Sequence, residues 1–345
     1  MTARRPREQS ASRAAAGQRK PRAGSEDALI ALLTQALAPA AGSSVQVGIG
    51  DDAAVLNWQS GQVVVSVDAQ VEGTHFKLPW LKLADIGFRS FQAAISDLAA
   101  MGAEPVAAVA HLTLPRGFSA AKLRQLVEGQ RDAALGHACP IVGGNLSRGP
   151  GLSVVTTVFG RSAAPLLRGG ARAGDEVWLL GEIGLARAGL LLLSRGTPNR
   201  SAAAARARAA WRRPVAQVAA GKQLVGNASS AIDLSDGLAR DAAQLARMSQ
   251  VQIQIERSWL SCALPRGLTE LGELLGEPAL ELGLRGGEDY ALLATGAAQH
   301  RPAQALKIGR VVQGSGAWLS SDGSLAPLGV GFDHFAKSKP ARRGG

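Results

Sequence analysis

From Ser25 onward, short runs of β-branched residues alternate with Ala- and Leu-rich stretches of helical period, the pattern of an α/β chain. Ser25, an acidic pair and then Leu29, Ile30, Leu32 and Leu33 read as a capped amphipathic helix. Val45-Gln46-Val47 and Val63 to Val67 read as strands, each running into acidic residues, and the spacing predicts a helix over 83–101 and a half-buried strand over 106–114. Ser119 is placed to cap a helix carrying Leu123, Leu126, Val127, Ala134 and Leu135 on one side. Ile141-Val142 and residues 152–159 supply strands around a glycine-rich turn. Residues 161–175, rich in Pro, Gly, Ala and Arg, mark a boundary, after which the pattern restarts. Strands are expected at 176–180, 231–234, 251–255, 290–294 and 307–312, with helices near 183–193 and 201–212 and from Gly237. The expected fold class is α/β of mixed (α+β) character, with domains at 25–162 and 163–336.

With 345 residues, 46% of them hydrophobic, the chain has enough apolar surface for two cores. The net charge of +11 would suggest a polyanion partner, but residues 1–24 hold seven Lys/Arg against Glu8 alone, and residues 337–345 hold four more. The body between them is nearly neutral. Both ends lack apolar periodicity and read as solvated, disordered basic tails, able at most to make weak contact with nucleic acid; a transit peptide is a further reading of the first. The two cysteines, Cys139 and Cys262, form no CxxC or Cys/His cluster, and no window reaches the ~18 apolar residues of a membrane span. A cytoplasmic protein without membrane contact is expected.

The informative feature is where the carboxylates fall. Asp51 and Asp52 follow Gly48-Ile49-Gly50, Asp68 ends a valine-rich strand, Asp97 sits in Ile95-Ser96-Asp97-Leu98, and Asp233 and Asp236 bracket Ser235. Aspartates at several strand ends would repel one another if brought together and would call for cations, and oxygen-only ligands suit Mg²⁺ working with phosphates. Taken singly, each loop is equally a turn or a helix cap. Gly48 to Ala53 formally matches a dinucleotide fingerprint, but Asp51 and Asp52 would stand where a pyrophosphate must approach bare amides. There is no GxxxxGK[ST]. Gly143 to Gly149 and Gly286 to Tyr290 are glycine-rich turns that let backbone come close to a ligand, or serve as hairpins.

Taken together, Gly48 to Ala53, Ser66-Val67-Asp68 with Glu72 to Phe76, Ile95 to Ala103, Ile232 to Gly237, Gly286 to Tyr290 and Phe332 to Phe335 resemble thiamine-monophosphate kinase. The motifs follow the family's order over residues 25–336. The resemblance implies the two-domain fold of the aminoimidazole ribonucleotide synthetase superfamily, each domain a mixed β-sheet with packed helices, and a homodimer. It implies ATP and thiamine phosphate as substrates and several Mg²⁺ ions as cofactors. Asp52, Ser66, Val67, Asp68, Asp97, Asp233 and Asp236 match metal positions; Gly144, Arg168 and Ser235 match nucleotide contacts; His75, Glu288 and Phe332 match substrate contacts. The implied chemistry is direct in-line transfer of the γ-phosphoryl group to an already ionised phosphate, so no protein nucleophile is expected. One position departs: the family's glycine turn reads Gly-Gly-Asp-Thr, with the aspartate a metal ligand, whereas this chain has Gly144-Asn145-Leu146-Ser147, which keeps Asn145 as a metal and nucleotide ligand without the charge. Selenophosphate synthetase and hydrogenase-maturation relatives would carry functional cysteines near the N-terminus or at the C-terminus, where this sequence has none. The alternatives are another ATP-using enzyme of the superfamily and a nucleotide-binding relative without turnover.

Overall fold

The computed structural model describes residues 45–47, 54–58 and 61–329. The helix expected after Ser25, both basic tails, Asp51, Asp52 and Phe332 lie outside the described residues. The first unit is a six-stranded sheet of β1 (Val45–Val47), β2 (Ala54–Trp58), β3 (Gly61–Val71), β4 (Glu104–Leu114), β5 (Ile141–Arg148) and β6 (Ser153–Ser162), ordered β1-β2-β3-β6-β4-β5. Only β4 and β5 run parallel; the other neighbours are antiparallel. Two helices, α1 (Leu83–Ala100) and α2 (Ala120–Gly136), join its strands. Ser119 caps α2 through its hydroxyl, 3.3 Å from the Lys122 amide.

Strand alternation assigns the sheet's two faces. Ser66 pairs with Val158 and Val158 with Ala108, so these residues share the face that packs on Phe91, Ile95 and Leu98 of α1. The opposite face carries Val65, Val67, Val109, Val155, Thr157 and Phe159, and among the described residues no helix covers Val67, which is 60% exposed.

The second unit is a seven-stranded sheet of β7 (Glu176–Leu180), β8 (Ser230–Asp233), β9 (Gln252–Glu256), β10 (Leu292–Gly296), β11 (Leu306–Val312), β12 (Gly316–Ser321) and β13 (Ser324–Pro327), ordered β13-β12-β9-β11-β7-β10-β8. Its helices are α3 (Leu185–Ser194), α4 (Ala202–Arg212), α5 (Val218–Leu224), α6 (Leu238–Ser249), α7 (Arg257–Ala263), α8 (Leu268–Leu275) and α9 (Ala279–Arg285). Both sheets are mixed and carry packed helices, as the sequence led us to expect. The two units share one apolar core: Val64, Phe91, Leu98 and Met101 pack with Trp178, Leu180, Ala231 and Leu292. Helix α1 is the element in common, buried against the first sheet and against β8 of the second.

Two local expectations are corrected. The glycine-rich stretch 143–148 is an edge strand rather than a turn, because its backbone pairs with Val109 to Leu114 of β4. Tyr290 is not in a strand; it has a φ of 50° and its amide bonds Leu234 O, so β10 begins at Leu292.

Candidate active site

Along β3, Ser66, Asp68 and Gln70 alternate onto the face that meets α1. Consecutive residues of α1 then tie the two units together. The Asp97 carboxylate accepts a hydrogen bond from Ser66 Oγ, and Ser96 Oγ donates to Asp233 Oδ2 at 2.7 Å. Asp233 closes β8 and is buried, and the chain turns through Ser235 and Asp236 into α6. There Asp241 Oδ2 accepts from the Asp236 amide at 3.2 Å, and Arg240 lies 3.5 Å from Asp236. Burial, and after it the charges of Asp236 and Asp233, holds the Asp241 carboxyl well above the usual range, with Arg168 pulling the other way. Arg168 donates to Gln244 Oε1 of α6 at 2.7 Å, which fixes its guanidinium beside this acidic group.

The loop between α9 and β10 forms the opposite wall. A side chain at Gly287 would begin 2.6 Å from Ser235 O, so glycine lets the loop close on the β8 turn, where the Glu288 amide donates to Ser235 O at 2.8 Å. Glu288 itself holds a left-handed φ of 64°, a strained conformation for a residue with a side chain. Its carboxylate accepts from Arg89 and from Trp211 Nε1, the latter at 2.7 Å. Arg89 is wholly buried; it also donates to Trp211 O at 2.6 Å, approaches Gln70 Oε1 at 3.4 Å, and stacks 4.6 Å from the Trp211 ring centroid. Gln70 in turn donates to Asp68 Oδ1 at 3.2 Å. A continuous polar path therefore runs from Asp68 to Glu288. Burial raises the Asp68 carboxyl above its ordinary value despite the Gln70 hydrogen bond and the nearby His75. His75 Nδ1 accepts from the Val71 amide at 3.1 Å, which leaves Nε2 to carry the ring proton.

Asp289 anchors this loop. Its two oxygens accept from the amides of Gly184 and Ala186 at 2.8 and 3.1 Å, capping α3 from a distant segment. Burial pushes its carboxyl up to about 7 in spite of both donors. A carboxyl that is a weaker acid folded than unfolded costs stability where it is ionised, so the cost is full above about pH 7 and fades as pH falls toward 4. Asp289→Asn is therefore expected to shift melting temperature most favourably, relative to the parent, near pH 8. That difference should shrink by about pH 5; a difference that does not change with pH would contradict the assignment.

Gly144 and Asn145 stand apart from this cluster. β5 lies three strand spacings from β3, about 14 Å across the sheet, and its register puts Asn145 beside His111 on the face of Val67. The Val67 side chain points away from the aspartates, so only its backbone carbonyl is available as a ligand. Between α2 and β5 runs a cleft of about 920 Å³ lined by Val127, Ala134, Leu135, Ile141, Gly144 and Leu146 among others. A side chain at position 144 would meet Ala110 O at 1.8 Å, so glycine is what allows β5 to close on β4 at the cleft wall. Cys139 also lines this cleft, but burial pushes its thiol up to about 11, which removes it as a nucleophile.

The structure thus brings together Ser66, Asp68, His75, Asp97, Arg168, Asp233, Ser235, Asp236 and Glu288. Sequence reasoning missed Arg89, Ser96, Trp211, Asp241 and Asp289. Arg89 had a signal: it is a cation within a helix whose neighbours Phe88, Phe91 and Ile95 are apolar. Asp289, between two motif residues, offered none that distinguishes a cap from a ligand. Among the described residues no three acidic or imidazole groups converge to hold an ion by themselves. The donor set is nonetheless all oxygen, with buried mutually repelling carboxylates, and it fits a cation that completes its shell with water and phosphate, as Mg²⁺ does.

Residues 50–162 match the family model of AIR synthase related protein, N-terminal domain. Thiamine-monophosphate kinase of Aquifex aeolicus (strain VF5) is 32% identical over 83% of this chain and 92% of its own length. The enzyme of that name from Escherichia coli (strain K12) is 33% identical over 85% and 93%. Among solved structures, AaThiL complexed with AMPPCP and TMP superposes with a TM-score of 0.81 at 30% identity, covering 87% of this chain and 94% of that one. Similarity of this extent over both units, with the motif residues gathered where the two meet, establishes that the chain belongs to the thiamine-monophosphate kinase family.

Proposed function

We propose that this protein transfers the γ-phosphoryl group of ATP to thiamine phosphate, giving thiamine diphosphate and ADP, in the cytoplasm and as a homodimer. The observation that carries the reading is the polar path through Gln70 and Arg89 from Asp68, on the acidic side of the site, to Glu288, on the opposite wall. It joins a place for phosphates to a place for an acceptor. Asp68, Asp97, Asp233 and Asp236, with Ser66, would hold Mg²⁺, which supplies charge neutralisation between two polyanions when bound. Arg168, fixed by Gln244, adds a protein cation at the same place. Glu288 and His75 face the acceptor, the first with its side-chain oxygens for a polar or cationic heterocycle, the second with its Nε2 proton.

The apolar cleft beside Gly144 suits the flat base of a nucleotide, whose phosphates then pass Asn145. Its distance from the aspartates within one chain supports the dimer: two copies joined through the valine-rich face, which no described helix covers, would bring one copy's β5 toward the other's aspartates. Domains at 25–162 and 163–336 remain part of this reading. An acceptor phosphate ionised at neutral pH needs no general base, which agrees with the assignment of no catalytic nucleophile. Purified protein given Mg-ATP and thiamine phosphate is expected to form thiamine diphosphate and ADP in equal amounts, and none with unphosphorylated thiamine. ADP release without thiamine diphosphate would contradict the reading.

A further inference from the structure

In the parallel pairing of β4 and β5, His111 stands opposite Asn145 and Thr113 opposite Ser147, so four polar side chains share one face at a sheet edge. His111 Nδ1 lies 3.1 Å from Asn145 Nδ2, and His111 Nε2 lies 3.2 Å from both Thr113 Oγ1 and Ser147 Oγ. An amide nitrogen can only donate, so Nδ1 is the acceptor and Nε2 carries the ring proton toward the two hydroxyls. With its nitrogen engaged by the ring, the Asn145 side chain turns its Oδ1 the other way. An asparagine without such a partner offers either end outward, and its NH₂ end is repelled by a cation. An aspartate would need no such help, because both of its oxygens accept.

We propose that His111 is a positioning residue for the nucleotide site, holding the Asn145 amide so that its carbonyl oxygen is the end presented to the metal-bound phosphates. The inference rests on the nucleotide reading above. The full chain is titrated by calorimetry with Mg²⁺ and a non-hydrolysable ATP analogue, and Mn²⁺ uptake is followed by paramagnetic resonance. The proteins compared are the parent, His111→Ala, His111→Gln, Asn145→Asp and the double variant H111A/N145D. His111→Ala is expected to weaken metal-dependent nucleotide binding about tenfold, the usual size of losing a partner that orients a ligand. In the N145D background the same substitution should change binding less than about twofold, and His111→Gln, whose amide oxygen can take the same N–H, should keep most of the affinity. An equal loss in both backgrounds, no loss in the native one, or a loss in H111Q as large as in H111A would overturn the proposal. A parent that binds no nucleotide would overturn the nucleotide reading itself, and the role of His111 with it.

Discussion

Replacing Arg89 by methionine is expected to lower the stability of the fold by about 3 kcal/mol and to raise KM for the acceptor more than it lowers kcat. The magnitude follows from what the guanidinium holds. Its side chain is fully buried, while the Glu288 side chain keeps 24% of its surface in contact with water, so the stranded carboxylate recovers part of its hydration. The Trp211 carbonyl and Gln70 Oε1 also lose their donor. Methionine fills comparable volume, so the loss reports on charge and hydrogen bonding rather than on a cavity. The split between KM and kcat follows from position: Arg89 touches Glu288 directly but reaches Asp68 only through Gln70. Urea denaturation with steady-state kinetics over acceptor concentration measures both parts. Unchanged stability, or a fall in kcat at unchanged KM, would show that the guanidinium does not organise the acceptor wall. Arg89→Lys keeps the charge but not the fork that spans three partners, and should fall between.

Asp233→Asn is expected to reduce kcat by about 10²–10³-fold, the several kcal/mol that a correctly held metal contributes, while leaving the fold as stable as before or more so. Asparagine occupies the same space and still accepts the Ser96 hydrogen bond through its carbonyl oxygen. Removing the charge relieves repulsion in a buried group where Asp233 and Asp236 already raise the Asp241 carboxyl. Catalysis and stability should therefore move in opposite directions, the mark of a carboxylate kept for function. Melting curves without Mg²⁺ beside turnover with it give the comparison. A variant that loses stability and keeps activity would mean that Asp233 is a structural acceptor for Ser96 and nothing more.

Much of this architecture was legible in the sequence because its elements announce themselves locally. Val63 to Val67 is rich in β-branched residues, Ser119 stands one residue before an amphipathic helix that it does cap, and the break between the two sheets falls in the Pro-, Gly-, Ala- and Arg-rich stretch 161–175. The acidic loops were visible because carboxylates beside glycine and valine are conspicuous. What was not legible depends on pairing between distant segments. The 143–148 stretch looks like a turn until β4 lies beside it, and Tyr290 looks like strand until Leu234 takes its amide. Asp289 acquires its role only from the amides of Gly184 and Ala186, over a hundred residues earlier in the chain. Arg89 likewise has a meaning only once Trp211 and Glu288 surround it, since helical period alone cannot distinguish a buried clamp from a solvated cation.

The most direct test of the central claim uses ATP made chiral at its γ-phosphorus, with thiamine phosphate as acceptor and Mg²⁺ present. A site that aligns donor and acceptor for a single in-line displacement, with no protein nucleophile, predicts thiamine diphosphate of inverted configuration at the transferred phosphorus. Retention would require a phosphoryl-enzyme intermediate and contradict the account, as would the absence of thiamine diphosphate from folded protein.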